Sequence, residues 1–181
     1  MKIDTITASE FKPVKTCLII LALVGIVLTF FQVGIYRMTI IDWKILFSLY
    51  IITGILSTFL NHAFLSKHYD TQKFIHHLIY NTLTFGGIIL YSFLALNYYL
   101  SKDESSEFHF PIKKKSWTTE YNGKRNKKLA LVTVDCFKQE KELFFEYSQI
   151  ERINSADSVI LKISKGALGI DVIDDYNVLK K

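Results

Sequence analysis

Four of the chain's five histidines, His62, His68, His76 and His77, fall in one stretch, "NHAFLSKHYDTQKFIHHLIYN", Asn61 to Asn81. Neutral imidazoles bind haem iron and first-row transition metals, so His62, His76 and His77 mark where redox or metal chemistry would sit. On two antiparallel helices, His62 at the end of one and His76–His77 at the start of the next share a depth. Against this, His76 and His77 are adjacent and point about 100° apart on a helix. The nearest carboxylate is Asp70, in the loop with His68. The stretch also reads as a helix seam. Thr53, Ser57 and Asn61 recur every four residues beside Gly54, and His77, Asn81 and Thr84 form a second polar line followed by Gly86 and Gly87. Small and hydrogen-bonding residues at this spacing let apolar helices approach and bond, at around 0.6 kcal/mol per bond. The seam accounts for more of the residues and is the primary expectation, with no cofactor; a haem or transition metal held by His62, His76 and His77 is the alternative.

The elements that must position these residues are long and apolar. Half of the 181 residues are hydrophobic. Three runs carry no Asp, Glu, Lys or Arg: 21 residues between Lys15 and Arg37, 22 between Lys44 and Lys67, and 28 between Lys73 and Lys102. At about 1.5 Å per residue each can cross a hydrocarbon layer roughly 30 Å thick. The expected fold is an α-helical membrane anchor of three transmembrane helices, near 17–36, 43–64 and 76–99 within a 17–100 region, followed by a small C-terminal mainly-β soluble domain. A polar tail, 1–16, precedes the helices. The first run is expected to be retained rather than cleaved, since "FFQVGIYRM" is bulky where processing needs small residues.

After the helices, residues 101–116 read as a polar linker and 117–181 as the β-rich domain. Asn122-Gly123 is the preferred dipeptide of a tight hairpin. Leu129, Leu131 and Thr133 alternate with Ala130, Val132 and Val134, a strand apolar on both faces. "KQEKE" reads as a turn, "LFFEYS", "SVILKIS" and "ALGIDVIDDY" as strands, and Ser148 with Glu151 as a helix-capping pair. Gly166 and Gly169 suit a turn or bulge, since no phosphate-loop spacing surrounds them. Asp171, Asp174 and Asp175 lack the alternating ligands of a calcium loop. Cys17 and Cys136 lie far apart and have no catalytic neighbours in sequence. No nucleophile elbow, zinc spacing or nucleotide fingerprint occurs.

The net charge of +5 does not point to nucleic acid. From Ser101 onward 15 Lys or Arg face 13 Asp or Glu, a balance of +2. The basic run Lys113, Lys114, Lys115, Lys124, Arg125, Lys127 and Lys128 is mostly a solvated surface, with attraction to lipid headgroups as the sharper alternative. Abundant Lys, Ile, Asn, Tyr and Phe with little Gly or Pro suggests an A·T-rich bacterial genome.

These readings converge on a non-enzymatic membrane protein, multi-pass in a plasma (inner) membrane. Its β domain would bind another membrane protein or a second copy, as an accessory or scaffold subunit. A metal or haem redox protein and a lipid- or ligand-sensing module are the alternatives. Lysines flanking the first run and the acidic "KDESSE" after the third place the N-terminus in the cytoplasm and the β domain outside, on the periplasmic face. A cysteine introduced at Ser105, in a Cys17→Ser background, is therefore expected to react with an impermeant thiol reagent on intact cells; protection until lysis reverses the assignment.

Overall fold

A computed structural model of the chain describes residues 8–68, 73–102, 104–122 and 125–180. They divide into two compact units, Met1–Val33 with Trp43–Phe93, and Gly34–Asp42 with Leu94–Lys181.

The first unit is helical. Helix α1 spans Ala8–Arg37 and α2 spans Trp43–His68. The third long helix, Phe74–Tyr99, is built from α3 (Phe74–Asn81), a π-helical turn at Thr82–Gly86, and α4 (Gly87–Tyr99). All three contain stretches long and apolar enough to cross a membrane, with mean hydropathies of 2.7, 1.6 and 1.5. The apolar runs alone set narrower limits. Residues 8–16, read as a polar tail, are already helical, with Pro13 inside the helix, and α2 continues through His68, placed by sequence in the loop.

Glycine decides where these helices touch. A Cβ on Gly25 would lie 2.5 Å from the carbonyl oxygens of Leu83 and Thr84, and one on Gly87 would lie 2.2 Å from the Gly25 oxygen. The backbones of α1 and the third helix therefore meet directly, at the π turn. The Tyr80 hydroxyl adds a bond to the Leu18 carbonyl, 2.8 Å.

The second unit is an antiparallel half-barrel of five strands in the order β3-β2-β1-β4-β5. The strands are β1 (Ser105–Asn122), β2 (Arg125–Cys136), β3 (Gln139–Glu146), β4 (Ala156–Lys165) and β5 (Asp171–Lys180). Strand β1 serves two partners in turn. Ser105–Pro111 pairs with β4, and Ile112–Asn122 pairs with β2 after a register shift between Ile112 and Lys114. Pro111, which has no N–H to give, sits at the change of partner. The expected linker thus forms the first half of a strand from Ser105 onward. Its Phe108, Phe110 and Ile112 alternate at period two, a signal masked by neighbouring charge.

The core gathers Ala130, Val132, Val134 and Cys136 of β2, Leu143 and Phe145 of β3, Val159, Leu161 and Ile163 of β4, and Ile173 and Val178 of β5. Ile153, from the short helix α5 (Ile150–Ser155), completes it. Gln149, not Ser148, caps α5, without a side-chain hydrogen bond; the Ser148 hydroxyl reaches Glu146 at 3.5 Å. The turn read at "KQEKE" is shorter: Phe137 and Lys138 make it, and Gln139–Glu146 is strand.

The two edge strands approach each other. Tyr176 of β5 donates its hydroxyl to the Phe144 carbonyl of β3, 2.8 Å, and its ring packs against Phe145 at 5.0 Å. The chain joining α1 to α2 then covers β5. Ile40 N–H bonds the Asp171 carbonyl at 2.8 Å, Ile173 N–H bonds the Met38 carbonyl at 2.7 Å, and Thr39 pairs with Val172. On β3, Lys141 is 4% exposed, yet its ammonium donates to the Tyr36 carbonyl at 3.2 Å and lies 4.3 Å from the Tyr36 ring centre. A cation at the last carbonyls of a helix is favourable, and the ring face adds to it.

Burial lowers the Lys141 ammonium to about 8, and it pushes the neighbouring Cys136 thiol up to about 12, leaving that thiol protonated and inert at neutral pH. Between pH 8 and 10.5 the unfolded chain holds a proton on Lys141 that the folded chain releases, so folding gains stability as pH rises through this window. Wild type is expected to gain a few degrees of melting temperature relative to Lys141→Met between pH 8 and 10, in mild detergent. A difference that moves the other way contradicts the buried ammonium.

Candidate functional site

His62 and His77 come together. Their ring centres are 4.9 Å apart at 64°, an edge contact, and His62 also faces Phe74 at 6.0 Å. His77 is 2% exposed, whereas His76 is exposed on another side of α3. Among the described residues no group of three His, Cys, Asp or Glu could hold an ion. The structure thus brings His62 and His77 together and places His76 on another side of the helix.

Thr53, His77, Asn81 and Thr84 of the expected seam are buried, and on α2 Thr58 stands in place of Ser57 and Asn61. On α2 the buried residues are Leu46, Thr53, Gly54, Thr58 and Leu65; Ser57 and Asn61 are half-buried. On the facing helix His77, Asn81 and Thr84 are all buried. Asn81 Nδ2 donates to the His77 carbonyl at 2.9 Å and to Thr58 Oγ1 at 3.3 Å, while Thr58 donates to the Gly54 carbonyl at 2.7 Å. Asn81 thus meets Thr58 rather than Asn61. Gly54 lets the helices close, since a Cβ there would stand 2.0 Å from Thr82 Oγ1. Thr58, four residues after Gly54, was readable as part of this line from the Gly-x-x-x-Thr spacing.

The basic run is dispersed by strand geometry. Lys113 pairs with Glu140, an exposed pair that raises the lysine and lowers the carboxyl. Lys115 donates to the carbonyls of Asn154 and Ala156, at 2.9 and 2.6 Å, closing the end of α5. Lys114 lies between them in the strand and is exposed. Lys128 stands over the rings of Trp117 and Tyr147, at 5.7 and 5.5 Å. Lys124 and the side chains of Arg125 and Lys127 lie outside the described residues. The described lysines therefore do not form one basic face.

Two features of the half-barrel had no sequence warning. Asn97, fully buried near the end of α4, holds the β4–β5 turn. Its Nδ2 donates to the Ile170 carbonyl at 3.1 Å and its Oδ1 accepts from Leu168 N–H at 3.1 Å. A Cβ on Gly166 would fall 2.3 Å from that amide. The β2–β3 turn places Phe137 and Lys138 at φ 52° and 69°, the geometry of a two-residue turn that Asn-Gly adopts freely. For other residues the left-handed region costs roughly 1–2 kcal/mol each. Phe137 packs edge-on against Phe108 and Phe110, at 5.5 and 5.4 Å, yet stays 50% exposed.

No protein-family model matches the chain, and no curated protein or solved structure matches it either.

The glycine contact gives a paired test. Gly25→Val drives a side chain into backbone and is expected to lower stability by about 1–3 kcal/mol or more. Gly34→Val, on the same helix with nothing within 4 Å, is expected to leave it unchanged. Equal melting temperatures for the two variants would refute the close approach of α1 to the π turn.

Proposed function

We propose that this is a non-enzymatic integral membrane protein: three helices cross the bilayer, and the half-barrel binds another protein as an accessory or scaffold subunit. One observation carries the binding role. On the central strand β1, Phe110 and Ile112 pack against the core, while Trp117 stands open on its other half. An antiparallel strand with one face on the core leaves its other face to solvent or to a partner. Here Trp117 is 62% exposed and Tyr147, beside the same lysine, 39%. Large exposed aromatic side chains such as Trp and Tyr are the residues that anchor protein interfaces.

The membrane reading is supported by the three long apolar helices and their composition. The basic flank before the first run and the acidic "KDESSE" after the third support an N-terminus in the cytoplasm and a half-barrel on the periplasmic side of a plasma (inner) membrane. Two crossings, by α2 and the third helix, would return the chain to the side of the α1–α2 connector, which agrees with the connector and the chain after α4 belonging to one unit.

A photocrosslinking residue at position 117, in the full chain in native membranes, is expected to give a discrete crosslinked product. Trp117→Ala is expected to lower recovery of the same partner at least tenfold in mild detergent. Recovery of a lone monomer in both experiments removes the proposed role.

A further inference from the structure

A recess of about 430 Å³ opens within the half-barrel unit. That volume falls in the range of roughly 300–1,000 Å³ typical of small-molecule sites. Strand alternation builds the first wall. Ser106 and Phe108 share one face of β1, and Lys102 and Glu104 line the recess from the segment before it. Ile163 and Lys165 of β4 lie across from them, and the tip of the β2–β3 hairpin contributes Phe137.

The lining is graded from apolar to charged. Phe108 and Phe137 meet edge to face, at 81°, and Ile163 is 5% exposed. At the other end stand two ammonium groups and two carboxylates. Lys165 and Asp171 pair at 2.6 Å, and Lys102 and Glu104 bring one further charge of each sign. Backbone geometry points to the same place independently of the volume. The left-handed conformations of Phe137 and Lys138 hold a half-exposed aromatic ring at the recess instead of letting an Asn-Gly turn form. Strain of this kind gathers at ligand clamps.

We propose that the recess binds a zwitterionic amphiphile. Its apolar part rests on Phe108, Phe137 and Ile163, its anionic group meets Lys102, and its ammonium meets Glu104. With Lys165 and Asp171 paired to each other, Lys102 and Glu104 offer one charge of each sign, which selects a zwitterion over a simple anion or a simple amine. A phospholipid headgroup with the start of its acyl chain and a free apolar amino acid both carry this chemistry. The proposal stands on the recess alone and holds whether or not the helices cross a bilayer.

The test uses the purified full chain, titrated by calorimetry with two probes: a short-chain phosphatidylethanolamine below its micelle concentration, and free phenylalanine. Saturable binding of at least one probe is expected, weakened at least tenfold by Lys102→Glu and by Phe137→Ser and unchanged by Trp117→Ala. Lys102 is exposed, so its variant keeps the test sound if Phe137→Ser fails to fold. Binding of the lipid alone names a membrane source, and binding of phenylalanine alone names a soluble one. Saturation by neither probe, indifference to Lys102→Glu, or equal affinity for an uncharged monoacylglycerol of matching chain length overturns the proposal.

Discussion

The half-barrel depends on the short chain between the first two helices. A five-stranded open sheet leaves two edges of unpaired N–H and C=O groups, and such edges invite pairing with other chains. Here β5 is met by Met38–Ile40 through two backbone bonds, and β3 is met by the last carbonyls of α1 through Lys141. Ile40 is buried in the sheet's core and Met38 packs against it. A sheet of this size is close to the lower limit for an independent core. The connector supplies both the missing edge partner and part of the missing apolar mass. That dependence explains why residues about a hundred positions apart in sequence belong to one folding unit.

The helical unit answers a different constraint. Its helices are apolar nearly all round, so hydrophobicity alone cannot choose which faces meet. Size chooses instead. Gly25 meets Gly87, Gly54 meets Thr82, and the π turn at Thr82–Gly86 turns two carbonyls toward α1. The hydrogen bond from Asn81 to Thr58 then fixes the register. The histidines belong to this packing: His77 is buried in the seam and His62 covers it.

Sequence carried the large features because their signals are large. Three uncharged runs of over twenty residues, and apolar alternation in Leu129–Val134, leave few alternatives. The failures share a cause. Charged residues at Lys113–Lys115 and at "KQEKE" suggested linker and turn, yet an exposed strand carries charge on its solvent side without ceasing to be strand. On α2 the expected seam took Ser57 in place of Thr58 because the two are equally small and polar, and only contact across the helices separates them. Lys141 closing a helix end, Asn97 holding the β4–β5 turn and the recess at Phe137 are long-range pairings, and no local pattern encodes them.

The connector's pairing with β5 is the point to test first. Thr39 and Val172 face each other without sharing backbone bonds, since the bonds flank them at Ile40–Asp171 and Met38–Ile173. In such a pair the Cα atoms lie about 4.5 Å apart, within reach of a disulfide. With Cys17 and Cys136 replaced, cysteines at positions 39 and 172 are expected to crosslink fully under mild oxidation, as a mobility shift on non-reducing gels. Melting temperature is expected to be kept or raised. Failure to crosslink, while a control pair within the β1–β2 ladder does, would show that the connector does not close the half-barrel.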